Sequence, residues 1–407
     1  MSVFKTVDSC RVLGNKKINP IFDLGDIAFS GIFPSSLNDD IPKVPLVLAY
    51  SPDSYLVQLH HSYDESFMYG DNYGYRSGLN QSMVNHLNNK ANSLIKEITI
   101  SNNDYVLDIG ANDGTFLNNF SSLTQNLIGI DPSAKKFEEH FPKNTKYVYD
   151  FFSKEIWKSN FGNKKPKLIS SIAMFYDLPD PVKFARDIFD IIDDDGVWHL
   201  EQSYLLSMLN TNSFDTICHE HTEYYSIHSI KYILSQANLF INDIGFNDIN
   251  GGSFWLNVSK KEKTTPLVDF YIEHEKSLGL LSIDIFENFK KQSSFLSSEL
   301  KNLIIRLKND GKKVFGLGAS TKGNILLSYA GIDFTFLDYI LEVNPNKFNC
   351  FTPGTKIPII SEDEGFKHQP DYLVVLPWHF KNNFINNYKT KYPNIKLIFP
   401  LPDLKIF

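Results

Sequence analysis

The sequence contains very little cysteine. Cys10, Cys218 and Cys350 are its three cysteines among 407 residues, and they lie far apart along the chain. A disulfide framework and a four-cysteine zinc site both need more cysteines at closer spacing. The sequence therefore excludes both, and we expect no metal ion in the protein.

The sequence also lacks a surplus of positive charge and long apolar runs. Lys and Arg number 40 against 47 Asp and Glu, which gives a formal net charge of -7. This balance argues against a nucleic-acid partner, although it permits a local basic pocket for one anionic ligand. No apolar run approaches the roughly 20 residues of a membrane span, and the N-terminus lacks the layout of a secretion signal. We expect a cytoplasmic protein without a membrane partner.

Residues 105–116, Tyr-Val-Leu-Asp-Ile-Gly-Ala-Asn-Asp-Gly-Thr-Phe, have the pattern of a buried strand that enters a glycine turn and then a helix. Gly110 and Gly114 permit a tight turn and a close approach of the backbone to a ligand. In doubly wound α/β sheets, an acid about 20 residues further on binds ribose hydroxyls, and Asp131 has this position. The stretch therefore predicts a ribose-containing cofactor on a parallel sheet.

The residues between the two glycines narrow the choice of cofactor. Asn112 takes the place of the second glycine of Gly-x-Gly-x-x-Gly, so no pyrophosphate is expected against the helix start. Asp108 and Asp113 make the turn acidic, which suits the sulfonium and amino groups of S-adenosyl-L-methionine. The pattern acidic-x-Gly-x-x-x-Gly resembles the first motif of class I methyltransferases. This resemblance implies S-adenosyl-L-methionine as cofactor and a Rossmann-like doubly wound α/β sheet.

Two later segments extend the predicted cofactor site. Residues 147–152 end a strand with an acid and two aromatic residues, which suits adenine or, alternatively, an ordinary end of a core strand. Residues 168–181 have the pattern of a fourth strand and a loop, and in class I methyltransferases this loop closes over the reactive methyl group. The predicted cofactor residues are Asp108, Gly110, Asn112, Gly114, Asp131, Pro132, Asp150, Phe151, Phe152 and Met174.

Residues 215–226, Asp-Thr-Ile-Cys-His-Glu-His-Thr-Glu-Tyr-Tyr-Ser, concentrate titratable side chains. On a strand, His219 and His221 would face the same side and could bind a metal with a third ligand. They could instead be hydrogen-bonded polar residues at a domain junction. A third interpretation is general acid/base catalysis, because the unperturbed pKa of His is near 6.5 and a neighbouring carboxylate tunes it.

Three segments near the N-terminus carry a second resemblance. They are residues 10–14, 23–25 and 51–59. They resemble the N-terminal zinc lobe of the sugar C-methyltransferases that act on nucleotide-linked deoxyketosugars. That family has two Cys-x-x-Cys pairs, whereas the matching positions here hold Cys10 with Leu13 and Ser51 with Ser54. Because three of the four thiolates are absent, we expect a metal-free lobe held together by packing.

The same family carries Tyr-x-Glu-His and, later, His-Gly-Gly-Ser. Glu220 and His221 match its catalytic pair, and the resemblance implies that His221, polarised by Glu220, is the general base. Cys218 stands where the family has tyrosine, and Asn250 stands where it often has histidine. A thiol is a poor hydrogen-bond donor, so the family's substrate and stereochemistry stay open for this chain.

Residues 67–80 are rich in Tyr and Gly and contain one Arg. They form either a packed aromatic loop or a pocket lined by phenols and a guanidinium. The family has a catalytically important tyrosine in this region. Tyr75 is the predicted one, with Tyr69 and Tyr73 as alternatives.

Residues 312–324 predict a second strand, turn and helix. The order Ser-Thr-Lys-Gly differs from that of a Walker loop, so ATP hydrolysis is not expected. Backbone N–H groups, Ser320 and Lys322 at the helix start are suited to a diphosphate. The family's C-terminal domain carries a near-identical Gly-Ala-Ser-x-Lys-Gly, and residues 353–359 and 376–380 resemble its later motifs. The resemblance therefore covers almost the whole chain.

Together these patterns predict a small β-rich lobe at residues 1–80, a methyltransferase domain at 81–262 and a Rossmann-like nucleotide-sugar-binding domain at 263–407. The implied function is C-methylation of a nucleotide-linked keto-deoxysugar through an enolate. The alternatives are a sugar O- or N-methyltransferase and an inactive nucleotide-sugar-binding protein of the same fold, and the oligomeric state stays open. The predicted catalytic residues are His221, Glu220 and Tyr75, and the predicted substrate contacts are Tyr69, Tyr73, Arg76, His219, Tyr224, Asn250, Ser320 and Lys322.

Overall fold

The computed structural model describes residues 3–64 and 76–407. Tyr69, Tyr73 and Tyr75 lie outside these ranges, so the roles predicted for them stay predictions. Within the described ranges, no helix has the length and apolarity needed to cross a membrane.

The N-terminal lobe is a small β structure. Its strands are β1 (Phe4–Thr6), β2 (Asn19–Ala28), β3 (Lys43–Ser51), β4 (Leu56–Leu59) and β5 (His61–Tyr63). Short apolar runs between turn residues favour antiparallel pairing. β3 pairs with β2 and β4, and β1 pairs with β5, all antiparallel. The predicted β-rich lobe is thus confirmed.

The positions of the family's zinc ligands lie in the interior of this lobe. Cys10 and Ser54 are buried, and Cys10 Sγ lies 3.1 Å from Ser54 Oγ. Ser51 is also fully buried. In the part of the chain that the structure describes, no group of three or more His, Cys, Asp or Glu residues could hold a metal ion. The expected lack of zinc stays a prediction.

The methyltransferase domain is built on a seven-stranded sheet. Its elements are α1 (Gln81–Glu97), β6 (Tyr105–Ile109), β7 (Asn126–Ile130), β8 (Thr145–Val148), α2 (Lys154–Phe161), β9 (Pro166–Ile172), α3 (Pro181–Ile191), β10 (Val197–Ser203), α4 (Leu205–Asn210), β11 (Glu223–Tyr224), α5 (Ile227–Ser235), β12 (Phe240–Asn247) and β13 (Ser253–Ser259). The strand order is β12-β13-β10-β9-β6-β7-β8, and strands β6 to β10 are parallel to one another. β6 and β7 are buried at all but their first residues, as a parallel sheet covered on both faces requires. The predicted doubly wound methyltransferase sheet is confirmed.

The strand β11 is not part of this seven-stranded sheet. It extends the sheet of the N-terminal lobe. It pairs antiparallel with β4, with Glu223 opposite Gln58. The Glu223 carboxylate also lies 3.6 Å from Arg11 Nε, and both side chains are almost fully buried. Because of these contacts, residues 215–226 lie at the junction of the lobe and the methyltransferase domain.

The C-terminal part forms a second α/β domain. Its elements are α6 (Pro266–Ser277), α7 (Asp284–Asn309), β14 (Val314–Leu317), α8 (Thr321–Ala330), β15 (Ile340–Glu342), β16 (Ile359–Ser361), α9 (Glu362–Lys367), β17 (Tyr372–Val375), α10 (Lys381–Lys391), β18 (Lys396–Phe399) and β19 (Lys405–Ile406). The six strands have the order β16-β15-β14-β17-β18-β19, and every neighbouring pair except β18 and β19 is parallel. This is the Rossmann-like arrangement predicted for the C-terminal domain.

The second α/β domain packs against both other parts of the protein. Asn324 Nδ2 on α8 donates to the carbonyl oxygen of Ser30 in the lobe at 2.8 Å. The ring of Tyr329 on the same helix lies 5.0 Å from that of Phe214, which precedes the His-Glu-His stretch. The helix α8 of the C-terminal domain therefore packs against the segment that leads into the His-Glu-His stretch. The predicted boundaries at residues 80 and 262 stay predictions.

The helix α6 contacts the methyltransferase domain. The fully buried carboxylate of Glu275 accepts from Tyr204 Oη at 2.9 Å and from the backbone N–H groups of Ile227 at 2.7 Å and His228 at 3.1 Å. Ile227 begins α5, so the carboxylate satisfies donors at a helix N-terminus.

Candidate active site

The glycine turn after β6 has the backbone geometry that its sequence predicts. Gly110, Asn112 and Gly114 have φ angles of 74°, 49° and 77°. A Cβ on Gly110 would lie 3.1 Å from the side chain of Met174, and one on Gly114 would lie 2.4 Å from the phenol oxygen of Tyr147. A Cβ is crowded out at Gly114, and at both positions the positive φ disfavours any residue other than glycine. The structure thus brings Met174 onto the turn, as predicted for the cofactor site.

Asp131 directly follows β7, and its side chain is hydrogen bonded to this turn. Its Oδ2 accepts from the backbone N–H of Asn112 at 2.8 Å, and its Oδ1 accepts from the backbone N–H and the hydroxyl of Ser133, both at 2.7 Å. A carboxylate has about four acceptor positions, so it can still accept ribose hydroxyls. Pro132 beside it is exposed. The ribose contact of Asp131 stays a prediction that this geometry permits.

Asp108 is buried in the sheet next to the turn. Its Oδ1 accepts from Ser170 Oγ at 2.6 Å. Burial raises the pKa of Asp108 to about 7, and the Ser170 bond only partly opposes this rise. At neutral pH the turn is therefore less acidic than the sequence predicts, unless a bound cation draws the proton away from Asp108.

The three consecutive residues predicted to surround adenine differ in exposure and in contacts. Asp150 is exposed and accepts from the backbone N–H of Phe151 at 2.7 Å, and Phe151 is 54% exposed. Phe152 packs edge-on against Phe184, with ring centroids 5.0 Å apart, and is part of the hydrophobic core. The adenine contacts predicted for Asp150, Phe151 and Phe152 stay a prediction.

Arg76 lies at the cofactor turn and not in a separate substrate pocket. Its Nε is 3.5 Å from Asp113 Oδ2, and its Nη1 is 2.7 Å from His140 Nε2. The backbone N–H of Gly78 donates to the same Asp113 oxygen at 2.8 Å. The guanidinium is thus engaged by the turn, and the substrate contact predicted for Arg76 stays a prediction.

His221 lies where the N-terminal lobe, the methyltransferase domain and the C-terminal domain meet. Its Nδ1 is 3.1 Å from the carbonyl oxygen of Thr216. A carbonyl only accepts, so Nδ1 carries the proton and Nε2 has a free lone pair in the neutral ring. Burial and the positive charge of Lys322 lower the pKa of His221 to about 3. The imidazole is therefore neutral at physiological pH and able to accept a proton.

The surroundings of His221 are aromatic and hydroxylated. Its ring centroid lies 4.4 Å from that of Tyr176. His221, Tyr176, Tyr224 and Glu223 line one small cavity, and Tyr224 Oη is 3.5 Å from the Thr216 carbonyl oxygen. Tyr224, predicted as a substrate contact, is thus placed next to the candidate base.

Glu220 is the main correction to the predicted catalytic pair. Its Oε1 faces Gly31, where an added Cβ would lie 2.9 Å away. Burial raises the pKa of Glu220, while the thiol of Cys218 opposes this by hydrogen bonding. Thr216, and not Glu220, takes the Nδ1 position of His221. At Nδ1 of His221 the Thr216 carbonyl oxygen thus takes the place predicted for the Glu220 carboxylate, because residues 218–221 form a turn in which the His221 N–H donates to the Cys218 carbonyl oxygen at 3.2 Å. The catalytic role of Glu220 stays a prediction.

His219 is a core residue in this structure. It is completely buried, and its ring lies 4.9 Å from those of both Phe29 and Tyr63. Burial lowers the pKa of His219 to about 3, with the backbone of Ile27 acting in the opposite direction. The predicted substrate contact needs correction here, because a ring enclosed by aromatic residues of the lobe has no surface for a ligand.

A second group of polar residues meets His221 from the C-terminal domain. Lys322 Nζ donates to the carbonyl oxygen of Asn250 at 2.9 Å. Trp378 Nε1 donates to Asp215 Oδ2 at 2.7 Å. Burial raises the pKa of Asp215 to about 6, and Lys322, the indole and nearby backbone N–H groups oppose this rise. The structure thereby brings Asn250 and Lys322, both predicted, next to Asp215 and Trp378, which were not predicted.

Thr216, Asp215, Trp378 and His379 are functional neighbours that the sequence patterns missed. Thr216 acts through its backbone carbonyl, for which a sequence carries no signal. Asp215 and Trp378 are 163 residues apart, so their pairing depends on domain packing. The one available signal was the presence of Asp215 in the titratable stretch and of Trp378 and His379 in a motif shared with the family.

Two family models match the chain in sequence. The model described as "Methyltransferase domain" matches residues 83–242, and the one described as "C-methyltransferase C-terminal domain" matches residues 248–402. The two matches lie side by side over residues 83–402, and the second one supports methyl transfer to carbon. The protein is accordingly an S-adenosylmethionine-dependent methyltransferase.

This C-methyltransferase is similar in sequence to a curated protein along its whole length. "C-methyltransferase NovU" from Streptomyces niveus is 24% identical over 411 residues, covering 99% of this chain and 98% of the relative. Among solved structures, magnesium protoporphyrin IX methyltransferase from Synechocystis PCC 6803 aligns with a TM-score of 0.35 and 12% identity, over 46% of this chain and 91% of that one. An S-adenosylmethionine-dependent methyltransferase from Clostridium acetobutylicum aligns with a TM-score of 0.35 and 15% identity, over 44% and 92%.

The residues at the turn fit S-adenosylmethionine, the cofactor of the C-methyltransferase. The left-handed turn at Gly110 exposes backbone to a ligand, and Asp131 offers spare acceptor positions for hydroxyl groups. Asp108 complements a sulfonium or an ammonium when it is ionised, whereas Asp113 is already engaged by Arg76 and the Gly78 N–H. The neighbouring Met174 shields this side of the turn.

Proposed function

We propose that this C-methyltransferase methylates the carbon next to the ketone of a nucleotide-linked keto-deoxysugar, through an enolate. The resemblance of the chain to the sugar C-methyltransferases supports this substrate class. So does a second α/β domain that packs next to the candidate base, which leaves the substrate between two domains. The nucleotide, the sugar and the stereochemistry stay open.

The observation that carries the proposal is the hydrogen bond between His221 Nδ1 and the Thr216 carbonyl oxygen at 3.1 Å. It selects the tautomer in which Nε2 is the basic atom. Burial keeps this ring neutral. His221 Nε2 therefore accepts the proton from the carbon beside the ketone, and a general base of this kind contributes about 10²–10⁴-fold to the rate.

Other residues of the proposed site bind and orient the cofactor and the substrate. When bound, S-adenosylmethionine supplies the electrophilic methyl group. We infer that Asp131, Asn112 and Gly110 position it, with Met174 beside the turn. Tyr224 and Asn250 border the substrate on the methyltransferase side, and Tyr75 is proposed as a hydrogen-bond donor to the developing oxyanion. Because both reactants are held in one cleft, much of the barrier is removed by orientation alone.

Hydrogen exchange tests the proposal. The chain is given a keto-deoxysugar nucleotide in D2O without methyl donor, and deuterium is measured at the carbon beside the ketone. We expect exchange in the wild type. Methylation without exchange, under conditions where the proton can wash out, would favour a sugar O- or N-methyltransferase.

Calorimetry with S-adenosylmethionine addresses the remaining alternative. An inactive nucleotide-sugar-binding protein would bind the nucleotide sugar and give neither cofactor binding nor exchange. Cofactor binding together with exchange rejects this alternative.

A further inference from the structure

The ammonium of Lys322 reaches across the boundary between the C-terminal and methyltransferase domains. Its hydrogen bond to the Asn250 carbonyl oxygen, at 2.9 Å, is its one hydrogen bond within the described ranges. Asn250, which provides this carbonyl oxygen, lies in a turn and has a backbone φ of 57°. An ammonium has three N–H donors, so two are left for a ligand.

The charge of Lys322 acts on the residues around the proposed base. It lowers the pKa of His221 and of His379 and opposes the raised pKa of Asp215. Burial in turn lowers the pKa of Lys322 itself, and Asp215 opposes that shift. The helix α8, which carries Lys322, packs against residues 214–216, and the Thr216 carbonyl oxygen of that segment lies 3.1 Å from His221 Nδ1. Lys322 and His221 therefore border the same part of the domain junction.

The surroundings of the Lys322 ammonium suit a single developing negative charge better than a diphosphate. Asp215 is completely buried next to Lys322, and its Oδ2 is held by the Trp378 indole at 2.7 Å. A buried carboxylate fixed beside the ammonium disfavours a polyanion. Ser320, the other predicted diphosphate contact, caps α8, with its Oγ accepting from the backbone N–H of Gly323 at 3.0 Å.

We propose that Lys322 is a catalytic residue whose ammonium stabilises the ketone oxygen as it becomes negative. This inference rests on the proposed function. The C–H bond beside the ketone breaks, its proton moves to His221 Nε2, and its electron pair forms a carbon–carbon double bond while the carbonyl π pair moves to the oxygen beside Lys322. In the second step this pair returns, the carbon bonds to the methyl group, and the S–CH3 electron pair stays on sulfur.

The proposed role of Lys322 gives the C-terminal domain a part in the chemistry. A positive group in a site that excludes water stabilises an oxyanion far more than it would in water, and it needs no reorganisation during the reaction. Here the base comes from one domain and the oxyanion stabiliser from the next. The active site is complete only when both domains are in place.

Exchange measurements on Lys322 variants test this role. The probes are ketodeoxyhexoses linked to thymidine, uridine or guanosine diphosphate, given in D2O without methyl donor. Lys322→Met is expected to lower exchange at saturating substrate by about 10²–10³-fold, the usual effect of losing one oxyanion donor. Lys322→Arg is expected to recover part of this loss. The affinity for thymidine diphosphate alone, measured by calorimetry, is expected to change less than about threefold.

Lys347→Met is the matched control. Lys347 lies in the same domain, and its Nζ also donates to one backbone carbonyl oxygen, that of Ala319, at 2.6 Å. Burial lowers the pKa of Lys347 as well. The control removes a similar charge away from His221, so its exchange rate is expected to match the wild type.

Two outcomes are decisive, and a second variant covers a failure to fold. A large loss of thymidine diphosphate affinity in Lys322→Met, with unchanged exchange at saturation, overturns the proposal and makes Lys322 a diphosphate anchor. If Lys322→Met does not fold, Lys322→Gln is measured in its place with the same expectation. A wild-type protein that methylates a sugar without any exchange refutes the enolate route itself, and this result is distinct from a loss confined to the variants.

Discussion

Trp378 in the C-terminal domain donates its indole N–H to Oδ2 of Asp215, 2.7 Å away and 163 residues earlier in the chain. This bond joins the loop after β17 to the segment that carries His221. Asp215 is completely buried, so the indole replaces the water that the carboxylate loses on folding. The two domains are thus coupled by a polar contact beside the proposed base.

Trp378→Phe should destabilise the protein by about 1–3 kcal/mol, because it leaves a buried carboxylate oxygen without its donor. It should also lower turnover, because the segment with His221 loses its anchor. Denaturant unfolding and methyl-transfer assays measure the two effects. Trp157→Phe is the control, since it removes an indole bond to the Lys164 carbonyl oxygen at 2.9 Å within the methyltransferase domain. An equal loss of turnover in both variants would reduce the effect to general destabilisation.

Asp131→Ala should weaken S-adenosylmethionine binding by roughly tenfold to a hundredfold, because charge-assisted hydrogen bonds contribute about 1.5–3 kcal/mol each. The variant also removes the acceptor of the Asn112 N–H. Calorimetry measures the affinity, with Asp190→Ala as a control at a surface ion pair with Lys154. An unchanged dissociation constant in Asp131→Ala would show that the ribose lies elsewhere.

His221→Asn should reduce turnover by about 10²–10⁴-fold and leave cofactor affinity nearly intact, because it removes the base and not the cofactor turn. Deuterium exchange should fall with turnover. The control is His60→Asn, in the N-terminal lobe, where the imidazole lies 3.9 Å from Asp8. Surviving turnover would move the base to Tyr75, because His219 is enclosed in the core, and a collapse of cofactor affinity would make the segment part of the cofactor pocket.

The exchange rate should stay nearly constant as the pH falls from 8 to about 5. The pKa of His221 is lowered to about 3 by burial and by Lys322, so the neutral, basic form persists well below the ordinary value of about 6.5. Initial rates across this range provide the measurement. A half-loss of exchange near pH 6.5 would contradict the shielded position of the ring.

The lowered pKa of His221 also makes the free energy of unfolding depend on pH. Below about pH 6.5 the unfolded chain protonates this histidine while the folded chain does not, so its contribution to the free energy of unfolding falls as the pH decreases. His221→Asn should remove this dependence. Urea unfolding at several pH values between about 4 and 7 compares the two proteins.

The purified protein should contain no zinc in its N-terminal lobe. Cys10 is hydrogen bonded to Ser54 and has no cysteine partners at the family's ligand positions. Elemental analysis checks this expectation, and one zinc per chain bound near Cys10 would contradict it. Cys10→Ser should then change the melting temperature only slightly, because the replaced thiol has one polar contact.

The sequence by itself determined the two α/β sheets and the cofactor turn. Buried strands, glycines and the end of the next strand are local features whose spacing along the chain sets their spacing in a parallel sheet. Gly110, Asn112 and Asp131 therefore meet as predicted. The residue types at 220 and 221 also marked the segment in which we propose the general base.

Only the tertiary structure decided which groups face His221. The choice of Thr216 over Glu220 depends on how the segment turns between the lobe and the domain, which residue types do not specify. The burial of His219 under Phe29 and Tyr63 depends on where the lobe packs. The approach of Lys322 and the bond between Trp378 and Asp215 require two domains to dock, because contacts between residues far apart in sequence arise from packing and not from local propensity.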